Sequence, residues 1–149
     1  MARWLVAAAI AWPALCAAAV WQGVVSSPTG FTTAVYAAAS RICHQRPERS
    51  FQTAGVQWPV CGRCSGVYLG GALGALIATR FVRRRPRLEA VRPFLVVSAV
   101  PTVLTIGAEW TGAAPIGNLT RALAALPLGA AIAVAIVRAA GAGRRKAIG

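Results

Sequence analysis

Three of the four cysteines and the single histidine fall within residues 41–71, RICHQRPERSFQTAGVQWPVCGRCSGVYLGG. Cys61-Gly62-Arg63-Cys64 is a C-x-x-C, and Cys43-His44 shortly precedes it. Two cysteines at that spacing can close on one metal ion or pair as a short, reactive disulfide. Cys43, His44, Cys61 and Cys64 together supply the four soft donors that tetrahedral zinc prefers, which makes zinc the candidate cofactor. Adjacent ligands such as Cys43 and His44 are unusual, because consecutive side chains point in different directions. Ser65 follows Cys64 where a c-type haem attachment would need histidine.

Two other chemistries compete for the same residues. A C-x-x-C outside the cytoplasm, with further thiols at Cys43 and Cys16, resembles the layout of four-helix membrane thiol–disulfide oxidoreductases, and the resemblance implies electrons passing from paired thiols to a quinone. Arg63 inside the motif, with Arg46 and Arg49 nearby, would lower a thiolate pKa electrostatically. The third chemistry is a plain disulfide from Cys43 to one cysteine of the pair, stapling the loop in an oxidising compartment. Glu48, between Arg46 and Arg49, reads as a local ion pair or as a general base or extra ligand. Ser50 caps a following turn or lines the site. Tyr68 lies one turn after Cys64, placed to touch the site or to anchor at the membrane interface.

The elements that must position these groups read as membrane helices. The 149-residue chain is 57% hydrophobic and only 13% charged, with a mean hydropathy of +0.60. A net charge of +13 could suggest nucleic acid, but the basic residues sit between long apolar runs. That arrangement fits membrane topology and excludes an RNA-binding design. The expectation is therefore an all-α membrane protein forming one integral domain.

Four transmembrane helices are expected, at about residues 4–25, 65–82, 93–112 and 117–137. The first run carries no charge, holds Pro13 as a kink, and is bracketed by Trp4 and Trp21, as interfacial aromatics would be. Cleavage as a signal peptide near Ala17-Ala18-Ala19 is the alternative. Residues 31–42 are too few to span and read as a short interfacial helix, with Phe31, Val35 and Ala38 or Ala39 at helical spacing. Residues 41–64 form a structured Cys/His loop. Gly66, Gly70, Gly74 and Ala78 recur every four residues, a smooth ridge for helix packing within the chain or with a second copy or membrane partner.

Counting basic residues orients the chain. Arg3, six arginines from 80 to 92, Arg138 and Arg144 to Lys146 gather on one side; Arg41, Arg46, Arg49, Arg63 and Arg121 lie on the other. The positive-inside rule then puts both termini in the cytoplasm and the Cys/His loop outside, in the inner (plasma) membrane. At 1.5 Å per residue, Glu109 and Arg121 both lie about 25 Å from the inner surface, nearly level with Cys64. Charges inside spans face the bundle or a cavity. Glu109 and Arg121 are expected to pair or share a polar pocket beneath the loop, with Asn118 one turn from Arg121; otherwise Arg121 snorkels to the headgroups.

The runs CHQRPERSF at residues 43–51 and PVCGRCSGVYLG at residues 59–70 resemble the signature of the membrane-protein family called domain of unknown function 2085. Asn118 and Arg121 resemble an Asn and an Arg that the family tends to place three residues apart. The family often has an Asp in the third span, and this chain has Thr105 near that place, with Glu109 further along. The resemblance implies a small multi-helix membrane protein of bacteria or archaea. It brings no established activity or cofactor.

Overall fold

The computed structural model describes residues 2–80 and 88–146. Five helices and one hairpin make up the fold: α1 (Ala2–Val25), α2 (Gly30–Ser40), a short 3-10 turn (Pro47–Arg49), β1 (Ser50–Thr53), β2 (Val56–Cys61), α3 (Gly62–Arg80), α4 (Leu88–Thr111) and α5 (Asn118–Lys146). The chain is thus mostly helical, but the Cys/His loop is not irregular: it contains a two-stranded sheet. Most of the arginines between α3 and α4, Arg83 to Arg87, lie outside the described residues.

Among the described residues, three helices are long and apolar enough to cross a membrane, at Arg3–Val25, Val91–Thr111 and Asn118–Ala140. Their exposed surfaces are what lipid would require. On α4, Val96, Val97, Val103 and Leu104 are each more than 60% exposed, an arrangement that water would penalise and hydrocarbon tolerates. Trp4, Trp21 and Trp110 are exposed near helix ends, where amphipathic rings sit at headgroup level. α5 runs beyond the expected limit, so the basic segment after Arg138 continues the helix as far as Lys146.

Helix α3 is not one of the three, because its terminal arginines and its glycines lower its hydropathy, yet it is the most enclosed. Gly66, Gly70 and Gly74 lie directly on the α5 backbone: a Cβ on any of them would overlap the carbonyl of Ala122, Leu126 or Ala130. Gly129 of α5 meets Val67 in the same way. The small-residue ridge is therefore occupied within the chain by α5, and its glycines are not a free surface for a partner. Close backbone approach maximises van der Waals contact where lipid supplies no hydrophobic driving force between helices. Lower on the same face, Ala75 and Ala78 pack with Val137.

The short helix α2 buries Thr32, Val35 and Ala39, a spacing of three and four residues that makes one face. Phe31, expected on that face, is instead exposed. Thr32 takes its place and donates a hydrogen bond to Gln22 Oε1 of α1 at 2.8 Å. Together α1 and α2 bury Cys16, Ala19, Val35 and Ala39 against Cys43 and Val60.

A candidate thiol centre over a buried ionic chain

The hairpin sets the positions of the thiols. β1 and β2 pair antiparallel with Gln52 opposite Gln57 and Thr53 opposite Val56. The two-residue turn Ala54-Gly55 has φ of +48° and +80°, the left-handed pair that matches strand twist. Asn-Gly or Asp-Gly would have announced that turn; Ala-Gly hides it. Phe51 and Trp58 pack edge-to-face across the strands at 6.2 Å. A bulge between Ser50 and Gln52 lets the strand bend as Ser50 comes opposite Cys61 at the mouth of the hairpin.

Cys43 is brought in by a clip that the sequence did not reveal. Gln45 adopts φ +48° and its Nε2 donates to the Tyr36 and Pro59 carbonyls at 2.9 Å each. Gln57 Nε2 donates back to the Gln45 carbonyl at 2.7 Å, and the Tyr36 hydroxyl donates to the Gln57 carbonyl. These bonds tie the segment after α2 to β2, so Cys43 faces Cys61. The CHQ run contained this signal, but a glutamine clip has no spacing rule by which to recognise it.

Cys43, Cys61 and Cys64 converge, with their sulfurs all within 4.8 Å of one another. All four cysteines are free thiols. The Cys61 backbone N–H donates to Cys43 Sγ at 3.2 Å, which fixes the Cys43 sulfur at the C-x-x-C turn. A hydrogen bond from the Cys64 thiol, helped by Cys43 and the local backbone, holds Cys61 far below the ordinary thiol range, at about 5. One sulfur of the cluster is therefore an anion at neutral pH, ready for a metal or an electrophile.

His44 stands apart from the three sulfurs. It is exposed and lies on the wall of a cavity of about 510 Å³ that the three thiols also line. Arg46, Arg49, Arg63 and Arg121 line the same cavity. Glu48 is exposed and, among the described residues, makes no ion pair with Arg46 or Arg49. Ser50 is buried and its hydroxyl donates to the Arg46 carbonyl at 2.9 Å, closing the 3-10 turn. Tyr68 packs edge-to-face on Trp12 and against the cluster containing Cys16 and Cys43. Cys16 is buried in that cluster without joining the three converging thiols.

Beneath the thiols runs a chain of polar groups from α3, α4, α5 and the hairpin. Arg121 Nε donates to Glu109 Oε1 at 2.6 Å, and Arg63 Nη2 reaches the same oxygen at 3.2 Å. Arg63 also lies 3.4 Å from Thr105 Oγ1. Arg121 Nη1 donates to Asn118 Oδ1 at 2.7 Å, and Asn118 Nδ2 donates to the Ser50 carbonyl at 2.8 Å. Glu109 is 8% exposed as a side chain and Arg121 13%, so the paired groups are largely withdrawn from the protein surface. Arg63, expected to act on the thiols, instead joins the C-x-x-C turn to the carboxylate of α4.

No solved structure matches this chain. An uncharacterised protein of Methanothermobacter thermautotrophicus is 33% identical over 93 residues, which cover 62% of this chain and 82% of that protein. An uncharacterised protein of Methanocaldococcus jannaschii is 35% identical over 68 residues, 45% of this chain and 43% of that relative. The family described as "Predicted membrane protein (DUF2085)" matches residues 43–135, which contain the three thiols, the hairpin and the whole ionic chain. This chain belongs to that family of membrane proteins.

Proposed function

We propose that this chain is a four-span protein of the inner membrane that binds zinc through Cys43, Cys61 and Cys64 on its extracytoplasmic face. The convergence of three sulfurs carries the metal assignment. Zn–S bonds of about 2.3 Å around a tetrahedral ion put sulfurs about 3.8 Å apart, so the observed cluster needs only a small contraction to close. The Cys61 N–H on Cys43 Sγ holds that sulfur facing the C-x-x-C pair. His44 is the fourth ligand if its ring swings inward; otherwise the fourth position opens onto the cavity.

Helix α3 supplies the fourth span. Its packing face lies on α5, so it can cross the bilayer without the all-round apolar surface of α1 or α4. Four spans put both termini on the side that carries most of the basic residues, the cytoplasm.

A second use of the same atoms is favoured by the low pKa of Cys61. Cys61 and Cys64 could give up two protons and two electrons to a quinone, leaving a disulfide and a quinol. Elemental analysis of the purified chain in detergent, combined with thiol counting, separates the two. Zinc binding predicts about one zinc per chain and thiols that react only after chelation. Metal-free protein with a reversibly reducible Cys61–Cys64 disulfide would replace zinc with redox chemistry.

A further inference from the structure

The thiol cavity is more strongly cationic than a metal site requires. Four arginines, Arg46, Arg49, Arg63 and Arg121, line it, while Glu109 is the one carboxylate bonded to any of them among the described residues. Arg63 Nε is buried and has no hydrogen-bond partner among the described residues. The surplus of positive charge persists whatever the thiols hold. Three thiolates on one divalent ion would cancel only a single charge. Guanidinium forks in this number match a phosphate better than a carboxylate, because phosphate offers more acceptor oxygens and a second negative charge.

A second cavity of about 510 Å³ adjoins the first, with Ile42 and Val67 lining both. Its walls are apolar, from Ala8, Ala9 and Trp12 of α1, Ala38 of α2, and Ile132 and Ile136 of α5. This groove lies among helices whose outer surfaces suit lipid. A cationic chamber beside an apolar groove is complementary to one kind of molecule. We infer that the two cavities form a single site for a membrane amphiphile with a phosphate head, held by the arginines, and an apolar tail laid along Trp12 and Ile132. The site rests on the membrane assignment and is independent of zinc.

Three probes resolve the site into its parts. Binding of 1-oleoyl lysophosphatidic acid to the full chain in a neutral detergent is compared with monooleoylglycerol, which lacks the phosphate, and glycerol phosphate, which lacks the tail. The lysophosphatidic acid should bind at least about tenfold more tightly than either, as expected for loss of a charge-assisted contact or of a buried tail. Arg49→Gln should weaken it about tenfold and leave monooleoylglycerol unchanged. Arg41→Gln removes an equal charge outside the cavity and should have no effect. Ala38→Trp fills the groove and should weaken the lysophosphatidic acid while sparing glycerol phosphate. Each variant's melting temperature checks that it folds. Equal affinity for glycerol phosphate would show a site for free anions only, and equal affinity for monooleoylglycerol a merely apolar groove. Either result, or equal losses from Arg41→Gln and Arg49→Gln, overturns the inference. Repeating the titration after chelation separates it from the zinc assignment, since binding should survive metal removal within about threefold.

Discussion

The two halves of the centre are built in opposite ways. The thiol half is local: Cys43, Cys61 and Cys64 come from one short segment, folded on itself by a hairpin and a glutamine clip. The ionic half is global: Arg63, Glu109 and Arg121 come from three helices and meet only if α3, α4 and α5 pack in register. A local device can keep its geometry while helices shift slightly. An ion pair between helices cannot, and inside a membrane its failure strands a charge. Arg63 and Asn118 are the points where the halves touch, through the C-x-x-C turn and the Ser50 carbonyl.

The largest effect should come from the seam on which both halves depend. Gly66→Leu would drive a side chain into the Ala122 carbonyl and destabilise the bundle by more than about 4 kcal/mol. Thermal unfolding in detergent should show collapse, with loss of the ionic chain and of the metal together. Retention of a native melting temperature would mean that α3 and α5 do not meet closely.

Cys64→Ser attacks only the local half. Zinc affinity should fall by at least about a hundredfold, while the helical signal and the Glu109–Arg121 pair persist. Glu109→Gln attacks only the other half. Breaking a buried pair costs about 3–5 kcal/mol, and here one carboxylate oxygen serves two arginines. Zinc content should remain near the wild-type level. A double-mutant cycle of Glu109→Gln with Arg121→Gln should show coupling of about 0.5–3 kcal/mol; additive losses would mean that the groups do not meet in the membrane.

The smallest effect is the pH dependence of the metal-free chain. Because Cys61 is held at about 5, below its unfolded value, the folded state binds fewer protons than the unfolded state between those two values. This contribution to stability is complete above the unfolded thiol pKa and disappears as pH falls through about 5. Alkylation of Cys61 should accordingly remain fast at pH 6, where ordinary thiols are protonated. A Cys61 rate that first rises near the ordinary thiol pKa would remove the anionic sulfur from the picture.

How much the sequence disclosed follows the same division. The thiols were legible because cysteine is rare in this chain and C-x-x-C has a spacing rule. Glu109 and Arg121 were legible as partners because a charge deep in a span needs one, and residue counting set them at equal depth. The hairpin was not legible: Ala54-Gly55 is a weak turn signal, and Gln52, Thr53 and Gln57 break the apolar alternation. Nor was Arg63's attachment to Glu109, because a side chain's direction from a helix N-terminus depends on which helix stands opposite. His44 was included as a ligand on donor chemistry alone, and its exposure comes from the backbone turning at Gln45.

The most direct test of the centre is zinc-edge X-ray absorption on the purified chain. A site built from Cys43, Cys61 and Cys64 predicts three sulfurs at about 2.3 Å and one lighter atom at about 2.0 Å. Zinc surrounded only by oxygen and nitrogen, or no bound zinc in protein purified with its thiols reduced, would contradict it.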